Sequence, residues 1–165
     1  MIHTAYIGIG SNLGNPHKNC VDAIKKISIN NDIKIIFKSS FYQTAPIGDV
    51  EQDWFVNSVI KIATELNPTT LLLALLNIES EMGRIRRERW GPRLIDLDLL
   101  FYDNLILNQQ GITLPHPEVQ KRNFVLVPLN EIADSLTHPV LNKTIKTILQ
   151  ESSDNAEVKK LTRVI

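Results

Sequence analysis

Two proline-led helix starts fix most of what this chain can become. Asn15-Pro16 and Asn67-Pro68 each place a side-chain acceptor at a helix N-cap and a residue without an N–H at the first helical position. After the first, Cys20, Ala23, Ile24 and Ile27 recur at helical spacing and predict an amphipathic helix over 16–29. After the second, a leucine-rich stretch predicts a helix over 68–82 that stops at Gly83. β-branched and aromatic runs at 2–9, 33–42, 54–65 and 94–102 read as strands. The segment from Gln43 to Asp53, with Pro46 and Gly48, reads as an exposed loop. The order is β-α-β-β-α-β, an α+β arrangement of the ferredoxin-like type, with an antiparallel sheet and two helices on one face. Beyond it the expectations are a short strand at 105–107 turned at Asp103-Asn104, a strand at 112–114, and short helices near 118–134 and 141–151. The polar tail after Glu151 is expected to be loose.

No repeat or Gly/Ser linker divides the 165 residues, so 1–165 reads as one domain. Lys+Arg 18 against Asp+Glu 18 gives zero net charge, which argues against a general nucleic-acid binder or a polybasic membrane binder. The longest apolar run, 71–76, is too short to span a bilayer. Cys20 is the only cysteine, so no internal disulfide or thiolate cluster can form. Together with an N-terminus that lacks a signal-peptide core, this leads us to expect a cytoplasmic protein.

Two patterns carry chemistry. Five of the seven arginines, Arg84, Arg86, Arg87, Arg89 and Arg93, fall within ten residues and face a single Glu88. Guanidinium groups bind phosphate oxygens through paired, directional bonds, so the cluster suggests a polyphosphate ligand. A solvated loop is the competing reading. In the strand that follows, Asp96 and Asp98 alternate with Ile95, Leu97 and Leu99, which puts both carboxylates on one face. Same-face neighbours lie roughly 6.6 Å apart, close enough to hold hard cations between them. An exposed face paired with Lys or Arg is the alternative. Carboxylates for Mg²⁺ beside guanidiniums for phosphate are what phosphoryl transfer requires. The glycines of Gly8-Ile9-Gly10-Ser11-Asn12-Leu13-Gly14 fit neither a Walker A loop nor a dinucleotide fingerprint, and read as the end of a strand. His3, His17 and His138 read as surface residues, and Cys20 as core. His116, held between Pro115 and Pro117, could hydrogen-bond a phosphate. Trp90 either packs on the domain or meets a flat ligand.

The segment Arg89-Trp90-Gly91-Pro92-Arg93-Leu94-Ile95-Asp96-Leu97-Asp98-Leu99-Leu100 resembles the signature of the 6-hydroxymethyl-7,8-dihydropterin pyrophosphokinase family. Further similar marks are Tyr6 to Gly14, Ser39 to Pro46, Phe55 with Asn57, Leu114 to Pro117, and Arg122-Asn123-Phe124. The resemblance implies a ferredoxin-like enzyme of folate biosynthesis that moves a pyrophosphoryl group from MgATP to a pterin hydroxymethyl oxygen; we expect it to act as a monomer. By the same resemblance, Asp96 and Asp98 hold two Mg²⁺ ions on the ATP phosphates. Arg84 and Arg93 clamp the triphosphate, and Arg86 adds a phosphate contact. Phe55 and Phe124 sandwich the pterin, Asn57 and the backbone near Thr44 bind its edge, and Trp90 covers the site. Glu79, Thr113, His116 and Arg122 fall on the nucleotide side. Leu76, Gly111 and Pro117 depart from residues some members have, and the arginine loop is one residue shorter than in some. A ferredoxin-like RNA-binding module, which would need stacking aromatics on the sheet face and a broadly basic surface that the neutral charge opposes, and a regulatory ligand-binding domain, which leaves Asp96 and Asp98 without a purpose, are the other readings.

Overall fold

Both proline-led helices form where the sequence puts them. The computed structural model describes residues 1–45, 54–83 and 94–162. Strand β1 (His3–Ser11) leads to helix α1 (Pro16–Ser28), whose N-cap Asn15 accepts the Lys18 N–H at 3.1 Å. Strands β2 (Ile33–Lys38), β3 (Tyr42–Thr44) and β4 (Phe55–Thr64) precede α2 (Pro68–Glu81), whose N-cap Asn67 accepts the Thr70 N–H at 2.9 Å. Such a cap contributes about 1 kcal/mol. The chain leaves α2 through Gly83 at φ +82, a left-handed turn that glycine adopts without strain. Strand β5 (Asp96–Tyr102) then follows, so the order is β-α-β-β-β-α-β, one strand more than expected.

The remainder departs from expectation in three places. The predicted strand at 33–42 is broken at 39–41 into β2 and β3. Ser39 stays bound to β4 across the break, its hydroxyl accepting the Val59 N–H at 2.9 Å. After β5 the chain does not fold straight back at 105–107. It makes a separate hairpin from β6 (Leu107–Gln109) and β7 (Ile112–Leu114), turned through Gly111 at φ +86. A 3-10 turn (Val119–Lys121) precedes α3 (Asn123–Ala133), and a small hairpin of β8 (Thr137–His138) and β9 (Lys143–Thr144) leads into α4 (Ile145–Glu151). The tail is not loose throughout, because β10 (Val158–Lys160) pairs with β3.

The main sheet is antiparallel in the order β10-β3-β4-β1-β5, with β2 also paired to β4. One face packs Ala5, Ile7, Ile9, Ile60, Ile62, Leu97 and Leu99 against Cys20, Ala23 and Ile27 of α1 and Leu71 and Leu75 of α2. The predicted two-helix layer is therefore present. Tyr6, Val59, Leu100 and Phe101 turn to the other face and pack beneath Leu126 and Leu129 of α3 and Ile145 and Ile148 of α4. Both faces are covered, one of them only in part by the C-terminal helices.

Candidate functional site

The strand period sorts the candidate residues onto the face that carries α3. Asp96 pairs with Gly10 and Asp98 with Gly8, so no side chain stands opposite either carboxylate on β1. One strand further, Asn57 pairs with Gly10, and Tyr42 pairs in turn with Asn57. Phe55 and Thr44 form the next pair on the same face. The row from Asp96 through Gly10 to Asn57 lies outside the α3–α4 apolar cluster and continues its face.

Gly10 is a requirement of this row. A Cβ there would stand 2.7 Å from Asn57 Oδ1, closer than packed atoms allow. On its other side Asn57 Nδ2 donates to Thr44 Oγ1 at 2.8 Å. Asn57 and Thr44 are both buried. The amide is thus held across the sheet, and its remaining donor and acceptor capacity can serve the edge of a flat, nitrogen-rich ring.

Beside Asp98 lie two further candidates. The His116 N–H donates to the Leu100 carbonyl at 2.9 Å, and His116 Nδ1 accepts the Glu118 N–H at 3.2 Å. Burial, and secondarily the Arg122 cation, holds the His116 pKa below the ordinary imidazole value against the opposing pull of Asp98 and Glu118. A neutral imidazole whose Nδ1 is already an acceptor carries its proton on Nε2, which makes that atom a donor for a phosphate oxygen. The Arg122 guanidinium stands 5.5 Å from the centre of the Phe124 ring, so residue 122 borders the aromatic wall. Phe124 itself is half-buried at the start of α3.

Not every candidate converges on this face. Glu79 is buried on α2, and its Oε2 accepts the backbone N–H of Leu97 at 2.7 Å, the amide between the two aspartates. It therefore anchors the carboxylate strand from within the protein. Thr113 is exposed on β7, in the hairpin beside β5. Arg84, Arg86, Trp90 and Arg93 lie outside the described residues, as does most of the predicted loop at 43–53; Gln43 and Thr44 belong to β3. Two histidine readings need correction. His138 is buried, its Nδ1 accepting the N–H groups of Val140 and Leu141, because the β8–β9 turn folds back onto its ring. The buried Nε2 of His17 belongs to a ring packed edge-on against Phe41. Cys20 is core as expected, its thiol pushed up to about 12 by burial.

Sequence reasoning missed what stands behind these residues. Glu131 of α3 accepts the Ser40 N–H at 2.8 Å, the Ser40 hydroxyl at 2.7 Å and the Tyr42 hydroxyl at 2.7 Å, tying α3 to β3. Spacing in sequence gives no sign of bonds made over such distances.

Asp96 and Asp98 fit Mg²⁺ by their donor chemistry. They offer hard anionic oxygens on one face, with no β1 side chain directly opposite either of them. Among the described residues no group of three or more His, Cys, Asp or Glu side chains converges as a metal cage.

Fold and face together define a mixed α/β protein whose antiparallel sheet brings a carboxylate pair, a held amide and an aromatic side chain onto one face. The chain belongs to the 7,8-dihydro-6-hydroxymethylpterin-pyrophosphokinase family, which matches residues 6–134. It is 42% identical over 156 residues to a 2-amino-4-hydroxy-6-hydroxymethyldihydropteridine pyrophosphokinase of Haemophilus influenzae, covering 94% of this chain and 97% of that protein. A protein of the same name from Methylorubrum extorquens is 44% identical over 132 residues, covering 80% of this chain and 84% of the other. The fold is similar to a crystal structure of Plasmodium falciparum HPPK-DHPS with pteroate, at a TM-score of 0.74 and 16% identity. That match covers 92% of this chain, which spans only 42% of the Plasmodium chain.

Proposed function

We propose that this chain transfers a pyrophosphoryl group from ATP to the hydroxymethyl oxygen of 6-hydroxymethyl-7,8-dihydropterin, a step of folate biosynthesis. The observation that carries the reading is the placement of Asp96 across Gly10 from the Asn57–Thr44 pair, with Asp98 two residues on along the same sheet face. Phosphate chemistry and ring recognition are thereby set side by side. The hydroxymethyl oxygen bonds to the β-phosphorus and the bond from that phosphorus to the α,β-bridging oxygen breaks. The electron pair departs with AMP and the hydroxyl proton is released. Asp96 and Asp98 would hold Mg²⁺, two ions on the family's pattern, which when bound neutralises charge on the phosphate oxygens.

The chain's own groups do the rest. Asn57 and Thr44 orient the pterin edge, and Phe55 and Phe124 supply its aromatic walls. His116 Nε2 and Arg122 donate to the nucleotide phosphates beside Asp98. Arg84, Arg86 and Arg93 clamp the triphosphate, Trp90 closes over the pterin, and Thr113 contacts the nucleotide from β7. Glu79 serves the nucleotide side by fixing the strand on which the metal ligands stand. The strand order β5-β1-β4 followed by β2 and β3 supports a ferredoxin-like core extended by the C-terminal helices. We read residues 1–165 as one cytoplasmic, monomeric domain with no nucleic-acid partner.

Release of AMP from MgATP, measured with and without the hydroxymethyl pterin, tests the reading. AMP and pterin diphosphate should form in equal amounts only when both substrates are present. Pterin-independent AMP release, or none at all, would overturn it.

A further inference from the structure

The first turn of α3 is poorly secured by its own helix. Pro128 has no N–H to offer the carbonyl of Phe124, which stands at the i−4 position. The preceding residue, Arg122, makes no side-chain cap. Yet this turn carries Phe124, and Arg122 lies over the Phe124 ring.

What holds the turn comes from beyond the segment that matches the family. Asp154 Oδ2 accepts the Asn123 N–H at 2.8 Å, and the Asp154 carbonyl accepts from Asn123 Nδ2 at 3.1 Å. The Ser152 hydroxyl donates to Asn123 Oδ1 at 2.7 Å. Asp154 is itself braced, its Oδ1 accepting the Ala156 N–H at 2.9 Å. The same tail then runs along the opposite wall. The Ala45 N–H donates to the Glu157 carbonyl at 3.4 Å, β10 pairs Val158 with Thr44, and the Leu161 N–H donates to the Phe41 carbonyl at 2.9 Å. Residues 152–161 thus grip both sides of the face on which Asn57, Thr44 and Phe124 stand, while the family match ends at 134.

We infer that the C-terminal segment is a clamp that sets the distance between the two walls of the pterin site, with Asp154 as its principal positioning residue. It acts as a remote N-cap for α3: its carboxylate replaces the missing local acceptor and places a negative charge at the helix N-terminus. It touches no substrate. Its effect passes through Asn123 to Phe124 on one side and through β10 to Thr44 on the other.

The inference rests on the proposed pterin reading, so the test separates the two. In the full-length chain, Asp154→Ala should raise the pterin KM about tenfold while leaving kcat at saturation within about twofold. Asp154→Asn, whose amide oxygen can still accept the Asn123 N–H, should recover most of the loss. Glu151→Ala removes only the surface pair with Lys143 and should leave the pterin KM at the parent value. A role confined to stability would lower the melting temperature and the active fraction without moving the KM. If Asp154→Ala does not fold, Ser152→Ala carries the test, with a rise of about threefold or more expected because its hydroxyl both donates to Asn123 Oδ1 and accepts the Asp154 N–H. A parent-like pterin KM in the folded variant overturns the clamp alone. A parent chain with no pterin-dependent turnover overturns the function on which the clamp rests.

Discussion

Replacing Gly10 by alanine should damage pterin recognition through a contact measurable in advance. The added Cβ would lie 2.7 Å from Asn57 Oδ1, and ordinary contact begins at 3.4 Å, so the amide must retreat by about 0.7 Å. Retreat within the sheet plane is blocked, because Asn57 Nδ2 is already at 2.8 Å from Thr44 Oγ1. The side chain must therefore swing off the row and give up that bond. A lost hydrogen bond costs about 0.5–1.5 kcal/mol. Overpacking adds about 1–3 kcal/mol. Against this, alanine restricts the unfolded chain and returns about 0.4–1 kcal/mol. The balance is a destabilisation of about 0.5–4 kcal/mol, below the roughly 5–15 kcal/mol that holds an ordinary domain folded. Pterin affinity should fall by about tenfold or more, since about 1.4 kcal/mol lost at the ring edge corresponds to that factor. Gly8→Ala is the internal control. Its Cβ would meet the Leu100 side chain at 3.5 Å, an ordinary contact, so stability should change by no more than about 0.5 kcal/mol. Urea denaturation of both variants, with pterin titrated by calorimetry, gives the two quantities separately. A folded Gly10→Ala chain that binds pterin with the parent affinity would refute the role assigned to Asn57.

Asp98→Asn should abolish Mg²⁺-dependent AMP formation while leaving the urea midpoint close to the parent value, because a neutral amide is a poor ligand for a hard cation; near-parent turnover at saturating Mg²⁺ counts against the assignment. Phe124→Ala should weaken pterin binding by about 1 kcal/mol or more from lost stacking and leave ATP binding less affected, which parallel titrations of the two ligands will show. Burial holds the His138 pKa below its free value of 6.5, so the folded state disfavours the proton that the unfolded chain takes up. Stability should accordingly be complete above pH 6.5 and decline as pH falls below it, and His138→Gln should flatten that slope in urea midpoints taken from about pH 5 to about pH 7.5.

The parts legible in sequence were those set by short-range periodicity. Asn15 and Asn67 cap within three residues of themselves, and the alternation of Asp96 and Asp98 with leucines requires nothing beyond the strand. The parts that stayed hidden depend on partners far along the chain. Tyr42 meets Glu131 across a separation of 89 residues, and Asn123 meets Asp154 across 31. The polar tail carries few apolar residues, so β10 gave no hydrophobic signal; its backbone pairing with β3 is what orders it. The break between β2 and β3 was hidden for a related reason. Ser39 and Ser40 read as strand until Ser58 and Glu131 claim their hydroxyls.

One irregularity explains how a single sheet face can be both core and proposed site. Between Tyr6 and Ile7 the register of β1 against β5 shifts, and Leu100 has no partner across the ladder. On the near side of this bulge the face bears Asp98 opposite Gly8 and Asp96 opposite Gly10. On the far side Phe101 pairs with Tyr6, and both join Leu100 in the cluster beneath α3. An unbroken alternation would send Phe101 to the α1–α2 face and Tyr102 to the α3 face. The extra residue resets the period, so Tyr102 stays in the first core and Phe101 enters the second. The carboxylates need an open, polar strand end, and α3 needs an apolar platform directly after it. A bulge at Leu100 supplies both within seven residues, and Glu79 secures the polar end by accepting the Leu97 N–H from the opposite layer.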